Sequence, residues 1–256
     1  LWMYLRAARR HRPPFVITFH NVMTHHFVGS MELLARMAES ADWVTGVSQD
    51  VVDDTLRFAP AVAGRISVIR NGITFPADEP SAPPTDPPRL ACIGRLVEQK
   101  GFDLAIDAFA ALAPRHPTLQ LTVAGDGPLR HRLVQRAAER GVGERVDFVG
   151  ILDREGVARL LRDCTAVVMP SRFEGLPLVA LEAAGAGRPV IAARAPGLDQ
   201  AVVDDVTALV VEPDAHELAA AIERVVSDPA LARRLGQAAR ARATREFSLG
   251  ACADAF

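Results

Sequence analysis

The chain has 256 residues, of which 49% are hydrophobic and 23% charged, with a formal net charge of −2 at neutral pH. These values are typical of a globular protein of one or two domains, and the balanced charge and 5% aromatic content argue against a nucleic-acid partner. Three widely spaced cysteines argue against a disulfide framework or a zinc site and favour the reducing cytoplasm.

The first segment, LWMYLRAARRHRPP, is basic and partly apolar. This pattern favours a helix beside a parallel sheet. The alternative is a peripheral contact of the N-terminal half with the inner face of a membrane. No apolar run reaches the roughly 18 residues that a membrane span needs, and no signal peptide is visible. Because the chain opens without Met and inside a helical pattern, we expect a fragment whose N-terminal domain is incomplete.

Apolar runs of strand length alternate with helical stretches up to residue 75. The pattern predicts strands over 15–20, 43–48 and 66–72, with helices over 30–40 and 49–58. Ser48 is the expected N-cap of the second helix. Residues 76–88 are rich in proline and lack an apolar pattern, which predicts an extended linker between a domain over 1–75 and a domain over 89–256.

The same alternation continues after the linker. It predicts strands over 89–93, 119–125, 145–150, 165–171, 188–193 and 207–211, each followed by a loop or a helix. Continuous apolar strands alternating with helices indicate parallel sheets that are covered on both faces. The predicted fold is therefore α/β, with two doubly wound Rossmann-like domains, the first incomplete, and with ligands at the carboxyl ends of the strands.

Two short motifs follow the first two strands of the second domain. In GRLVEQKG, Gly94 permits a tight turn, and Arg95 and Lys100 place two cations near a helix start, which suits a diphosphate. A solvated basic loop is the alternative. In GDGP, Gly125 allows close backbone approach and Pro128 fits the first position of a helix, although an ordinary strand-to-helix turn explains the motif about as well.

The segment PSRFEGLPLVALEAAGAGRPVIAA, residues 170–193, carries Glu174 and Glu182 in apolar surroundings. Because isolated carboxylates there are costly, each needs a partner, either hydroxyl groups of a ligand or a nearby Arg or Lys. Pro177 is expected at a helix start, with Glu174 in the loop before it and Glu182 about one and a half turns into the helix. We expect the two carboxylates at different depths of one pocket.

These motifs together resemble the donor-nucleotide half of retaining glycosyltransferases of family 4, which have the GT-B fold. GRLVEQKG, GDGP and the E-x7-E pair carry the resemblance, and TFHN, VSQDVVDDT and VIRNGIT look like the later part of that family's N-terminal domain. The resemblance runs from about residue 15 to the end of the chain. It implies transfer of a sugar from a UDP- or GDP-linked nucleotide-diphosphate sugar to a hydroxyl acceptor, in a glycan, a glycolipid or a small molecule, with a bacterial cell-envelope product as one expectation.

The resemblance also implies roles for particular residues. Arg95 and Lys100 would hold the diphosphate, Glu174 would contact donor-sugar hydroxyls, and His20 would face the transferred sugar, which makes these four the expected catalytic residues. Glu182 would bind the ribose. The remaining expected donor-binding residues are Gly94, Gly125, Val149, Gly150, Ser171, Gly175, Leu176 and Pro177.

No cofactor and no metal are expected. The chain contains no D-x-D triplet, and Arg95 and Lys100 can supply the positive charge that a metal provides elsewhere. His20, His25 and His26 lack clustered acidic or cysteine ligands, and His20 alone is also compatible with a structural histidine at a strand end.

The family's glycine-rich loop does not occur before residue 15, and Asp199 is the nearest acid where the family often has a glutamate, so the acceptor side departs from the family pattern.

Three alternatives remain at this point. A nucleotide-sugar binding module without turnover would bind the donor through residues 89–256 but transfer nothing. A doubly wound dehydrogenase would need a third glycine that GDGPLR lacks, and a phosphorylase would need a lysine-held pyridoxal phosphate to which no feature points.

Overall fold

The computed structural model describes residues 13–23, 30–76 and 78–253. Within these ranges the strands form two parallel sheets, one of three strands and one of six. The segment 1–12 and the residues His25 and His26 lie outside the described residues, so the interpretations of them stay predictions. None of the described helices is both long enough and apolar enough to cross a membrane.

The small sheet has the order β1-β2-β3, formed by Val16–Phe19, Trp43–Gly46 and Ile66–Val68. Helix α1, Met31–Ser40, and helix α2, Gln49–Phe58, follow the first two strands. Ser48 caps α2 as predicted, since its hydroxyl accepts a hydrogen bond from the Val51 amide. The predicted strand 66–72 ends early, at Val68. Gly72 lies against the C-terminal helix, where a Cβ would be 3.0 Å from the Leu249 Cα.

The large sheet has the order β6-β5-β4-β7-β8-β9. Its strands are β4 Arg89–Ile93, β5 Gln120–Ala124, β6 Val146–Gly150, β7 Ala166–Met169, β8 Val190–Ala193 and β9 Ala208–Val211. Its helices are α3 Phe102–Leu112, α4 Arg130–Glu139, α5 Arg154–Asp163, α6 Leu178–Gly185, α7 Ala215–Ser227 and α8 Pro229–Phe247, and the short α9, Leu249–Ala253, ends the described chain. All pairings between these strands are parallel.

Alternate residues of the large sheet enter two different cores. Leu90, Cys92 and Val168 pack with α3, α4 and α7, whereas Ala91 and Val167 pack with α5 and α6. This period of two, with helices on both sides, is what makes the strands apolar throughout. A third core joins residues of the small sheet to Leu181 of α6 and Phe247 of α8.

The segment that follows the small sheet is tied to the large one. Arg188, which is fully buried, donates hydrogen bonds to the carbonyls of Leu161 and Arg162 at the end of α5 and to the Ser81 carbonyl at 2.8 Å. The Thr165 hydroxyl likewise donates to the Pro84 carbonyl at 2.6 Å. These bonds fix where the proline-rich segment runs. The predicted domain limits at residues 75, 76 and 88 stay predictions.

Candidate active site

The chain reverses its strand order between β4 and β7. Strands β5 and β6 lie on one side of β4, and β7, β8 and β9 lie on the other. In open parallel sheets the loops at such a reversal diverge and leave a crevice at the carboxyl ends of the strands. The loop after β4 contains GRLVEQKG, and the loop after β7 contains the first glutamate of the E-x7-E pair. The topology therefore brings the two most informative motifs to one crevice.

The partner of Glu174 is Lys100. The Lys100 ammonium lies 2.7 Å from Glu174 Oε1, and Glu174 is only 5% exposed while the Lys100 side chain is about one-fifth exposed. The Lys100 ammonium offsets the cost of burying the charged carboxylate of Glu174, which would be high for a carboxylate without a partner. This contact connects residues 74 positions apart and provides the partner that the sequence analysis expects for the Glu174 carboxylate.

Further bonds hold the two loops together. The Gln99 side-chain amide donates to the Phe173 carbonyl at 3.0 Å, and the Arg172 amide donates to the Gln99 carbonyl at 2.8 Å. The Arg172 guanidinium also pairs with Asp103 at 3.0 Å and donates to the Glu98 carbonyl. Sequence reasoning missed these supports, although Gln99 lies inside a motif it singled out.

The glycines of the two motifs permit close backbone packing. Gly125 has φ +134°, and a Cβ there would lie 2.8 Å from the Gly94 carbonyl carbon and nearer still to its oxygen. The GDGP turn is therefore packed against GRLVEQKG. The predicted helix start at Pro128 is wrong by two residues, because α4 begins at Arg130. Asp126 accepts from the Gly127 amide at 2.8 Å, so it stabilises this turn and does not cap the helix.

Arg95 extends into solvent beside this crevice. It is exposed, and within the described residues its guanidinium makes no hydrogen bond or ion pair. Ser171, Gly175, Leu176 and Pro177 are buried in the loop after β7, and Pro177 precedes the first residue of α6 without a side-chain cap. Within the described residues the amides of Leu178 and Val179 donate to no protein acceptor, whereas the Ala180 amide donates to the Pro177 carbonyl at 3.0 Å. Such free amides at a helix N-terminus can donate hydrogen bonds to an anion.

Two predicted residues approach from other elements. His20, which follows β1, is exposed, and its backbone lies against Gly175, where an added Cβ would be 2.8 Å from the His20 carbonyl carbon. The small sheet therefore faces the loop after β7. Val149 is exposed and Gly150 half-buried at the end of β6, on the other side of the crevice.

Glu182 lines a cavity of about 720 Å³ between α5, α6 and the segment 72–81, together with Arg154. Glu174 is not among the residues that line this cavity, and the expectation that the two carboxylates lie at different depths of one pocket stays a prediction. Burial raises the pKa of the Glu182 carboxyl above its usual value, and the positive charge of Arg154 opposes that rise.

The raised pKa of Glu182 gives a stability prediction. A folded-state pKa above the unfolded value means that folding disfavours the ionised carboxyl, so stability falls as pH rises through the unfolded value of about 4.3 and on to the folded value. Glu182→Gln is therefore expected to stabilise the chain at pH 7, with the gain fading as pH falls toward 4. Urea unfolding at both pH values measures it.

The matched control for this prediction is Glu144→Gln, because Glu144 is exposed. That variant is expected to leave the midpoint of unfolding nearly unchanged at both pH values. An equal gain for the two variants, or a gain for Glu182→Gln that does not depend on pH, would contradict the burial argument.

No group of three His, Cys, Asp or Glu side chains in the described part of the chain is arranged to hold a metal ion.

Comparisons with known protein families place these elements among glycosyltransferases. Residues 76–242 match the family model described as glycosyl transferases group 1, and residues 1–75 match the model described as glycosyltransferase family 4. The glycogen synthase of Mycobacterium tuberculosis is 36% identical over 95% of this chain, and the chain spans 62% of that enzyme's length. Alpha-D-kanosaminyltransferase of Streptomyces kanamyceticus is 34% identical over 66% of the chain and 44% of its own length.

Solved structures agree on the fold. Sucrose-phosphate synthase from Thermosynechococcus elongatus superposes with a TM-score of 0.85 at 29% identity, covering 99% of this chain and 69% of that protein. HepE of Anabaena, solved in complex with UDP and glucose, gives a TM-score of 0.85 at 23% identity, covering 100% of this chain and 74% of that protein. The predicted GT-B fold with parallel α/β sheets is confirmed.

Proposed function

The chain belongs to the family of group 1 glycosyl transferases, and we propose that it transfers a sugar from a nucleotide-diphosphate sugar to a hydroxyl acceptor, with retention of configuration and without a metal. Because the chain spans 62% of the length of its glycogen synthase relative, the activity is proposed for the protein that contains it. The observation that carries the proposal is the Lys100–Glu174 pair at the strand-order reversal.

The diphosphate would lie between Arg95 and Lys100. Lys100 already lies in the crevice at 2.7 Å from Glu174, while Arg95 is exposed beside it and has no protein partner in the described residues. Two cations and the uncapped start of α6 together suit a group with two negative phosphates. Glu174 would then accept hydrogen bonds from donor-sugar hydroxyls while staying paired with Lys100.

The nucleoside would extend toward Glu182. In this proposal the Glu182 carboxylate accepts bonds from ribose hydroxyls, and the backbone at Val149 and Gly150 borders the base. Gly94 and Gly125 would contribute through the loops that carry them, because the missing side chain of Gly125 lets the GDGP turn pack against Gly94, next to Arg95. The structurally similar protein HepE was solved with UDP and with UDP-glucose, so uracil nucleotides are the first ligands to test.

The proposed step is a substitution on one face of the sugar. The bond from C1 to the diphosphate oxygen breaks, the bond from C1 to the acceptor oxygen forms, and the acceptor proton passes to the leaving diphosphate. Arg95 and Lys100 stabilise the negative charge that grows on the diphosphate, which is the kind of fixed electrostatic stabilisation that lowers such barriers most. His20, Ser171, Gly175, Leu176 and Pro177 would shape the sugar subsite.

The positive charges of Arg95 and Lys100 support the proposal of transfer without a metal, because these two side chains can balance the negative charge of the diphosphate themselves. Cytoplasmic location, a peripheral membrane contact through the N-terminal half and a cell-envelope product stay predictions from the sequence.

The experiment for this proposal is calorimetric titration of the chain with UDP, GDP and ADP, each with magnesium and with EDTA. One nucleotide is expected to bind equally well under both conditions, and that nucleotide names the base. The corresponding nucleotide-sugar is then incubated with the protein, and proton NMR reads the configuration of the released or transferred sugar.

Two outcomes would count against the proposal. Binding only with magnesium would overturn the metal-independent mechanism, and no binding by a folded chain would overturn the donor site itself. Donor binding without release or transfer of sugar would favour a nucleotide-sugar binding module.

A further inference from the structure

We propose that Asp50, on the first turn of α2, is a positioning residue for the donor-sugar loop that carries Glu174. The inference rests on the proposed function, because Glu174 contacts a donor sugar only in that proposal. The contacts that link Asp50 to the Glu174 loop are separate observations. Asp50 Oδ2 accepts a hydrogen bond from the Gly197 amide at 2.6 Å, across 147 positions of sequence. The contact is partly buried and links the element after β2 to the loop after β8.

The Gly197 turn in turn supports Glu174. The Glu174 amide donates to the Pro196 carbonyl at 2.8 Å. Gly197 has φ +81°, and a Cβ there would lie 2.6 Å from the Glu174 carbonyl carbon and 2.9 Å from the Gly175 carbonyl oxygen. Only glycine allows this conformation and this approach together at low cost. A displacement of the turn would therefore be transmitted to the backbone of Glu174.

A second contact from the small sheet reaches the same loop. The backbone of His20 and Asn21 lies against Gly175, with an added Cβ there 3.1 Å from the Asn21 Cα. The Glu174–Gly175 backbone is thus held between the Gly197 turn on one side and His20 on the other. Since Asp50 and His20 both follow strands of the small sheet, that half of the chain sets the position of the Glu174 loop.

The bond is strong because its acceptor is a carboxylate. A backbone amide bonded to a charged acceptor in a partly buried place is held more firmly than one bonded to a neutral acceptor. The Lys100 ammonium fixes the Glu174 side chain, and the Asp50 carboxylate, through Gly197, fixes its backbone. Asp50 itself is not proposed to touch the donor.

Hydrogen–deuterium exchange without ligand tests the positioning directly. In Asp50→Ala, amides in 194–200 and in 172–177 are expected to exchange roughly 10-fold faster, because one charge-assisted bond is lost. Asp50→Asn keeps an acceptor oxygen and is expected to restore most of the protection. The matched control is Asp53→Ala on the same helix, because among the described residues Asp53 accepts a hydrogen bond only from the Gln49 side chain.

Titration with UDP and UDP-glucose then connects positioning to the sugar subsite. Asp50→Ala is expected to bind UDP as the parent does but to lose about 10-fold in affinity for UDP-glucose relative to UDP, since only the sugar-contacting loop has moved. Unchanged exchange in 172–177, or equal losses for both ligands, would overturn the inference. A parent protein that binds none of UDP, GDP and ADP would contradict the proposed function, and exchange would still decide the role of Asp50.

Discussion

Lys100→Ala is expected to lower the affinity for the nucleoside diphosphate by about 100-fold, because the variant loses a bond to a charged group. The loss has two causes. One of the two cations in the crevice is gone, and the nearly buried Glu174 carboxylate loses the ammonium 2.7 Å away and then repels the incoming phosphates. Calorimetry with the nucleotide that binds the parent protein measures the effect.

A double variant separates these two causes. Adding Glu174→Gln to Lys100→Ala removes the uncompensated carboxylate, so part of the lost affinity is expected to return. Arg115→Ala is the matched control, since Arg115 is an exposed cation that pairs with Glu223 away from the crevice. A folded Lys100→Ala variant that binds as the parent does would show that the diphosphate lies elsewhere.

Lys100 is also the only lysine in the chain. A lysine-selective acetylating reagent should therefore modify this side chain and the amino terminus, and mass spectrometry can distinguish them. Bound nucleotide is expected to protect Lys100 and to leave the amino terminus reactive. Equal modification with and without nucleotide would contradict its place in the donor site.

Gly125→Ala is expected to destabilise the fold by about 2–6 kcal/mol, combining backbone strain with overpacking. At φ +134° the new Cβ would overlap the Gly94 carbonyl, which is backbone and has no side-chain freedom to move away. Backbone hydrogen bonds keep the two glycines from moving apart to relieve this overlap. The Gly94 amide donates to the Ala124 carbonyl at 2.9 Å, and the Gly125 amide donates to the Gly150 carbonyl at 2.7 Å. Urea unfolding measures the change in free energy.

Gly141→Ala is the matched control for this prediction. Gly141 also has positive φ, at +73°, but an added Cβ would meet no atom within 4 Å. Strain alone then predicts a loss of about 1–2 kcal/mol. A similar loss at both positions would show that the approach of the GDGP turn to Gly94 does not constrain the fold.

Local sequence predicted most elements because local causes produce them. The Ser48 cap, the apolar runs of β4 to β9 and the helix after Pro177 follow from hydrogen bonding and periodicity within a few residues. The predicted element boundaries were wrong where backbone from distant parts of the sequence packs against the element. The strand predicted to Gly72 ends at Val68, and α4 starts two residues after Pro128.

The fold class, the family resemblance and the candidate residues could all be predicted from the amino-acid sequence, because periodicity and motif spacing are properties of neighbouring positions. The pairing of Glu174 with Lys100, the cavity that Glu182 lines beside Arg154 and the bond from Asp50 to the Gly197 turn become visible in the folded chain alone. Each of these contacts depends on the order of strands in the sheets and on how the two sheets face each other. Residues separated by 74 and 147 positions carry no local pattern that would reveal such contacts.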